Sequence, residues 1–156
     1  MNERYDEVVR LLSERGVSRD DIARCIIFLQ KRYDENISHT KCLEVTDKVL
    51  NDPDIQNAII ISLELDRLAE KDILESRYIK EAMMKDDGLF GVDELIGLGM
   101  AFNYGPIAIT NFGYIDKVKP DIIGKLNVPE DGTCNTFIDD IVGALAACGA
   151  SLLAHE

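Results

Sequence analysis

The first half of the chain shows the apolar periodicity of amphipathic helices. Apolar residues recur at helical spacing from Tyr5 to Leu12, and Gly16 is placed to end that first helix. Four more helices are predicted at about residues 18–33, 38–50, 53–70 and 76–85. Ser18 and Asp52 are suitable N-caps, because their side chains can accept hydrogen bonds from the free N–H groups of a first turn. We therefore expect residues 1–87 to form amphipathic outer helices, each with one solvated face.

The second half of the chain, residues 88–156, carries few charges and is predicted to supply core helices. Residues 92–104 and 137–154 are apolar or small nearly all round, a pattern typical of helices enclosed by others. The uncharged stretch from Leu95 to Ile115 is long enough to span a bilayer. Gly105 and Pro106 interrupt it, so a helical hairpin buried inside the protein is the favoured interpretation.

The fold class follows from these elements. No alternating segment is bounded by a tight hairpin turn, so strands are not predicted. A length of 156 residues with 46% hydrophobic content suits one domain with its own core. We predict an all-α single domain, 1–156, of about six to eight helices.

Composition narrows the partners and the compartment. A formal net charge of -12 repels phosphate backbones, so nucleic acid is not an expected partner. The N-terminus has no apolar signal core, which favours a cytoplasmic protein. The cysteines lie far apart without a C-x-x-C pair, so they are expected to be reduced and buried, without a structural zinc. They are Cys25, Cys42, Cys134 and Cys148.

Five acids interrupt this weakly charged half of the chain. They are Asp93, Glu94, Asp116, Asp139 and Asp140. Any one of them is interpretable as a helix cap, and Thr136 followed by Asp139 matches a capping box. Taken together they need a different explanation, because buried like charges repel unless a positive group joins them. Carboxylates without a neighbouring His or Cys suit a hard cation, so the acids predict a Mg²⁺ site, although another divalent cation would suit the same ligands.

The surroundings of these acids support a cleft. Small residues such as Gly143 lie in line with Asp139 and Asp140 at helical spacing, which permits another helix to approach closely. The same small residues would suit packing between subunits, so a homo-oligomer is expected. Lys117 and Lys119 follow the uncharged stretch and could meet an anionic substrate beside the metal. The alternative is that both are ordinary surface lysines.

Three segments resemble, in order and spacing, the motifs of the phosphatidylglycerophosphatase A family. They are residues 92–97 (VDELIG), 116–120 (DKVKP) and 137–143 (FIDDIVG). The resemblance to membrane-bound members covers roughly residues 57–153. Over its whole length the chain is similar to the soluble branch, the low-temperature-requirement C proteins, which implies an all-helical fold around a central buried helix.

The resemblance implies a magnesium-dependent phosphatase that releases phosphate from phosphatidylglycerophosphate in phospholipid synthesis. It implies that Asp93, Glu94, Asp116, Asp139 and Asp140 are the metal and catalytic carboxylates. Glu94 is our candidate for the general base, with Asp139 and Asp140 as the other catalytic acids. The basic part of the motif matches Lys117 and Lys119 only approximately.

Two departures from membrane-bound relatives leave the substrate open. Those relatives have an Arg where this chain has Gly113, and a His-Gly-Gly run where it has residues 132–135 (GTCN). The chain also lacks their membrane helices, so the substrate is either a soluble phosphomonoester or a lipid met by peripheral contact with the inner face of the membrane. The rival hypothesis is a non-catalytic helical oligomer or regulatory binding protein that retains the divalent-metal site.

Overall fold

Nine helices account for most of residues 2–156, the part of the chain that the computed structural model describes, and no strand occurs there. They are α1 (Glu3–Glu14), α2 (Arg19–Gln30), α3 (His39–Leu50), α4 (Pro53–Glu70), α5 (Arg77–Met84), α6 (Val92–Phe102), α7 (Pro106–Val118), α8 (Ile122–Leu126) and α9 (Ile138–Ala154). The all-α prediction is confirmed. The count exceeds the expected range because α8 has only five residues, too few to show a period.

The helices α2, α4 and α7 begin with the capping and turn residues that the sequence indicated. Ser18 accepts a hydrogen bond from the Asp21 amide, and the Asp21 carboxylate accepts one from the Ser18 amide, which completes a capping box. Asp52 accepts from the Asp54 amide in front of the first turn of α4. Gly105, at φ 97°, turns the chain into α7, as the hairpin prediction requires.

The central element is α9. Every residue from Ile138 to Ser151 is buried, because α2, α3, α6 and α7 pack around this helix. Small residues make the packing close: a Cβ added at Gly149 would lie 2.5 Å from Cδ1 of Ile26. The predicted central buried helix is therefore confirmed, and the core around it draws on helices from both halves of the chain.

The prediction that the helix in residues 92–104 is enclosed by other helices was wrong. This segment forms α6, which buries Gly97, Met100 and Ala101 but leaves Leu95 66% and Phe102 71% exposed. The predicted hairpin is therefore only half buried, because one side of α6 packs against neighbouring helices and its other side is exposed. A uniformly apolar sequence does not specify which side a neighbour covers. None of the helices described is both long enough and apolar enough to cross a bilayer.

The four cysteines are all buried, and none forms a disulfide. Burial raises the pKa of the Cys25 and Cys148 thiols to about 12, so these side chains behave as small apolar groups. This agrees with the expectation of reduced, buried thiols.

Candidate metal centre

Three helix ends carry the five predicted acids to one region of the molecule. Asp93 and Glu94 lie in the first turn of α6, and Asp139 and Asp140 lie in the first turn of α9. Asp116 lies near the C-terminal end of α7. The ends meet because α6 and α7 both pack against α9, and Gly97 permits the close approach of α6 to α7: a Cβ there would lie 2.5 Å from Cζ of Phe112.

Asp116, Asp139 and Asp140 form a carboxylate cluster. One oxygen from each of the three lies within 4.8 Å of the other two. Asp139 and Asp140 are buried, with 4% and 3% of their surface exposed. The Oδ1 atom of Asp139 has no hydrogen-bond partner among the described residues, which is costly for a buried carboxylate oxygen. The cluster therefore includes a residue with a buried, unpartnered carboxylate oxygen.

Lys119 brings positive charge to the cluster. Its ammonium nitrogen lies 2.9 Å from Oδ1 of Asp116 and 3.4 Å from Oδ2 of Asp139. The chain leaves α7 at Lys119 in the left-handed conformation, with φ 52°. Gly124 makes this turn possible, because a Cβ there would lie 2.7 Å from the Lys119 carbonyl oxygen. One ammonium group faces three carboxyl groups, so it could not by itself neutralise all three in their ionised form.

Without a cation, the cluster retains protons. Burial, opposed in part by Lys119, raises the pKa of Asp139 to about 7. Burial, together with hydrogen bonding to Asp93 and Asp116, raises the pKa of Asp140 far above its ordinary value. Burial favours a higher pKa for Asp116, but hydrogen bonds from Asp140 and Lys119 outweigh burial and lower the pKa below its ordinary value. A cation entering the cluster would therefore displace a proton.

The other predicted site residues lie around this cluster at different depths. Asp93 is buried and close enough to Asp140 to contribute to the raised pKa of that residue, but it lies outside the three-acid cluster. Glu94 is exposed. Together with Asp116, it lines a cavity of about 310 Å³ between α6 and α7. The walls of that cavity include Leu95, Leu98, Ile109 and Phe112. Lys117 is exposed and forms no ion pair with an acid in residues 2–156, so the structure brings Lys119 but not Lys117 to the acids.

The capping box predicted for α9 is absent. The N-cap of α9 is Phe137, which makes no side-chain capping bond, and the Thr136 hydroxyl donates to the Met83 carbonyl. Asp66 of α4 provides the cap instead, since its carboxylate accepts from the Phe137 amide at 3.0 Å and the Ile138 amide at 3.1 Å. Burial, opposed by these two bonds, raises the pKa of Asp66 to about 7. A signal was present in the sequence, because Asp66 continues the buried stripe of α4 that includes Ile59.

A second acid of α4, Glu70, holds the loop that precedes α9. Its carboxylate accepts from the Cys134 amide at 2.7 Å and from Arg15 at 2.7 Å. Arg15 also donates to the Cys134 carbonyl and to Asn135. The position of Asp139 and Asp140 thus depends on α1 and α4, and these contacts join residues so distant in sequence that periodicity could not predict them.

Comparisons with known proteins agree with this architecture. A family model described as phosphatidylglycerophosphatase A matches residues 16–155. The chain is 44% identical to YutG of Bacillus subtilis (strain 168) over 145 residues, 93% of this chain and 87% of that protein. It is 44% identical to YpjQ of the same organism over 155 residues, 99% of this chain and 86% of that protein. The crystal structure of low temperature requirement C protein from Listeria monocytogenes matches with a TM-score of 0.94 at 42% identity, covering 99% of this chain and 96% of that one.

Proposed function

Because the chain belongs to the phosphatidylglycerophosphatase A family, we propose that it is a metal-dependent phosphatase that hydrolyses a phosphomonoester. The observation that carries the proposal is the cluster of the half-buried Asp116 with the buried Asp139 and Asp140, with its unpartnered Asp139 oxygen. Structural carboxylates are normally paired or hydrogen-bonded on all sides, whereas these three share one ammonium group and leave a buried oxygen without a partner.

The ligand set fits Mg²⁺. Mg²⁺ takes oxygen ligands at about 2.1 Å, so oxygens on opposite sides of the ion lie about 4.2 Å apart. The three carboxylate oxygens, all within 4.8 Å of one another, need only small adjustments to reach such an arrangement. Asp116, Asp139 and Asp140 would hold the ion, and Asp93 would orient Asp140 from outside. The same oxygens would accept another divalent cation of this hardness.

Each residue near the cluster has a chemical role in the proposal. A bound Mg²⁺ would supply positive charge to the phosphoryl oxygens and lower the pKa of a coordinated water. The Lys119 ammonium group would contact a phosphoryl oxygen and neutralise charge that develops as the ester bond breaks. Glu94, exposed at the rim of the adjoining cavity, would accept a proton from the attacking water.

The cavity beside Asp116 indicates where the rest of the substrate would lie. Its apolar walls, including Leu95 and Leu98, would contact the part of the substrate that bears the phosphate. Phosphatidylglycerophosphate is the first substrate to test because of the family. It would be met by peripheral contact with the inner membrane face, and soluble phosphomonoesters form the comparison set.

The test is phosphate release with and without MgCl2, from phosphatidylglycerophosphate in micelles and from a panel of soluble phosphomonoesters. Asp139→Asn and Asp140→Asn should each lower Mg²⁺-dependent release by about a hundredfold or more, because each removes an electrostatic contact to the reacting groups. Asp131→Asn is the matched control, since Asp131 is an exposed acid of the preceding loop.

Unchanged turnover in both cluster variants, with folding intact, would remove the proposal. Stabilisation by Mg²⁺ without release from any substrate would instead favour the rival function, a binding protein that retains a metal site.

A further inference from the structure

A second cavity lies at the opposite end of α7 from Asp116. It has a volume of about 540 Å³, within the range of small-molecule sites. The C-terminal end of α2, the first turns of α7 and the end of α9 enclose it. Its lining residues on α7 run from Pro106 to Asn111, five to ten residues before Asp116, so about 7.5–15 Å of helix separates them from the acid cluster.

Two buried amide side chains line this cavity without partners. Gln30 is 7% exposed and Asn111 is 5% exposed, and neither side chain hydrogen-bonds to any residue in 2–156. An amide side chain within the fold is normally paired, as Asn135 shows by donating to the Leu126 carbonyl and accepting from Arg15. Each amide of the cavity therefore offers a donor and an acceptor to whatever occupies it.

Arg32 places a positive charge without an ion-pair partner at the cavity wall. Its guanidinium carbon lies 5.1 Å from the centroid of the Tyr33 ring and 4.9 Å from that of Tyr114. It forms no ion pair with any acid in the described chain, although acids outnumber bases by 29 to 17. The first turn of α7 also borders the cavity and has no side-chain cap, so its positive end adds to the field of Arg32.

We propose that this cavity binds a small organic anion with a flat, hydrogen-bonding body, the chemistry of a nucleoside monophosphate. The Tyr33 ring and Ile107 supply apolar walls for the base. Gln30 and Asn111 pair with donors and acceptors at the edge of the base, and Arg32 pairs with the phosphate, which a guanidinium group can contact through two hydrogen bonds. This site lies outside the phosphatase centre and needs none of its acids.

The experiment is calorimetric titration of the full-length protein with AMP, GMP, CMP and UMP, one at a time, in metal-free buffer that contains EDTA. At least one nucleotide should bind with a Kd of about 1 mM or below. Its nucleoside, and ribose 5-phosphate, should each bind at least about tenfold more weakly, because each lacks one of the two recognised groups. Asp140→Asn should bind as the wild type does, which separates this site from the proposed catalytic centre.

Two variants test the residues. Arg32→Gln changes an exposed side chain and should weaken nucleotide binding about tenfold or more, since it removes a charge-assisted contact. Asn111→Ala should have a similar effect, with thermal melting as a check of folding. Lys31→Gln removes the same charge from the neighbouring exposed residue outside the cavity, and should bind as the wild type does.

Three results would overturn the inference. The first is that no nucleotide binds at about 10 mM, the second that Arg32→Gln binds as tightly as Lys31→Gln, and the third that Asp140→Asn abolishes binding. The last outcome would place the nucleotide at the acid cluster instead.

Discussion

Lys119 shows how backbone conformation places charge at the proposed site. A non-glycine residue in the left-handed conformation costs of order 1–3 kcal/mol, and Lys119 and Asp121 both adopt positive φ on either side of Pro120. The chain accepts this cost where its turn directs an ammonium group between Asp116 and Asp139. Lys117, on the exposed side of the same helix, contributes nothing to that contact.

Replacing Lys119 should therefore impair the proposed reaction, whereas replacing Lys117 should not. We expect Lys119→Gln to lower kcat/KM by about 10- to 100-fold, the effect of losing one hydrogen bond to a charged group. Lys117→Gln is the matched control and should stay within about twofold. Steady-state phosphate release with Mg²⁺ measures both, and equal losses in the two variants would contradict the assignment.

Asp66 makes the stability of the protein depend on pH. Its pKa is raised from 3.8 to about 7 in the folded state, mainly by burial, so the folded protein binds this proton more tightly than the unfolded chain. The contribution of Asp66 to stability is therefore fully present below about pH 4 and is lost as the pH rises through about 7. The buried charge then depends on the two amides of α9 that it caps.

Asp66→Asn isolates this effect because it keeps a side-chain oxygen but does not titrate. The difference in unfolding free energy, wild type minus variant, should fall steadily between about pH 4 and pH 8. Urea unfolding at several pH values measures it. Parallel curves for the two proteins would show that Asp66 titrates at the same pH in the folded and unfolded states.

At the scale of helices, α6 and α9 each carry two neighbouring acids in the first turn, and the surroundings of the helix decide whether both acids are buried. Successive residues of a helix point about 100° apart, so a pair stays together only where both directions are enclosed. On α9 they are, and Asp139 and Asp140 are both buried. On α6 one side is exposed, so Asp93 is buried beside Asp140 while Glu94 lies at the surface. Sequence spacing predicted the acids but not this division, because both helices are similarly apolar.

Glycines of α6 offer a direct test of the packing that brings the acids together. A Cβ at Gly97 would lie 2.5 Å from Cζ of Phe112, a buried ring that is also packed near Gly143. Gly97→Ala should therefore destabilise the fold by about 1–3 kcal/mol, as overpacking does. Gly99 in the same helix has nothing within 4 Å of its added Cβ. Gly99→Ala should be stabilising by about 0.5–1 kcal/mol through lower unfolded-state entropy.

Equilibrium urea unfolding compares the two alanine variants directly. Destabilisation by both would show that the exposed side of α6 is also constrained. Stabilisation by both would show that α6 can move away from Phe112 without cost, so that close contact is not what positions Asp93 beside Asp140.

The whole molecule is organised around α9, and the features that surround this helix differ in how far the sequence predicts them. Helix starts such as Ser18 and Asp52 were predictable because capping chemistry is local. The central helix was predictable because small apolar residues cover all its faces. The contacts of Asp66 and Glu70 with the start of α9 were not, since they join residues far apart in sequence. Local patterns thus determine the helices, while long-range polar contacts position the acids.

A divalent cation should therefore stabilise the whole fold, because three of the acids that meet at the start of its central helix are close together and share a single ammonium group. With Mg²⁺ at about 100 times its Kd, the linkage relation gives about 2.7 kcal/mol of added stability. For a chain of this length that corresponds to a rise in Tm of about 5–10 °C. The rise should shrink as the pH falls through about 7, where Asp139 binds a proton that competes with the ion.

General screening must be separated from specific binding, since a chain with net charge -12 gains stability from any salt that reduces self-repulsion. NaCl at matched ionic strength gives the screening contribution, and Asp139→Asn should respond to MgCl2 only to that extent. Asp131→Asn, an exposed acid of the preceding loop, should keep the full Mg²⁺ response. If NaCl reproduces the whole rise in the wild type, the three acids do not bind the ion, and the cluster is held together by Lys119 and shared protons alone.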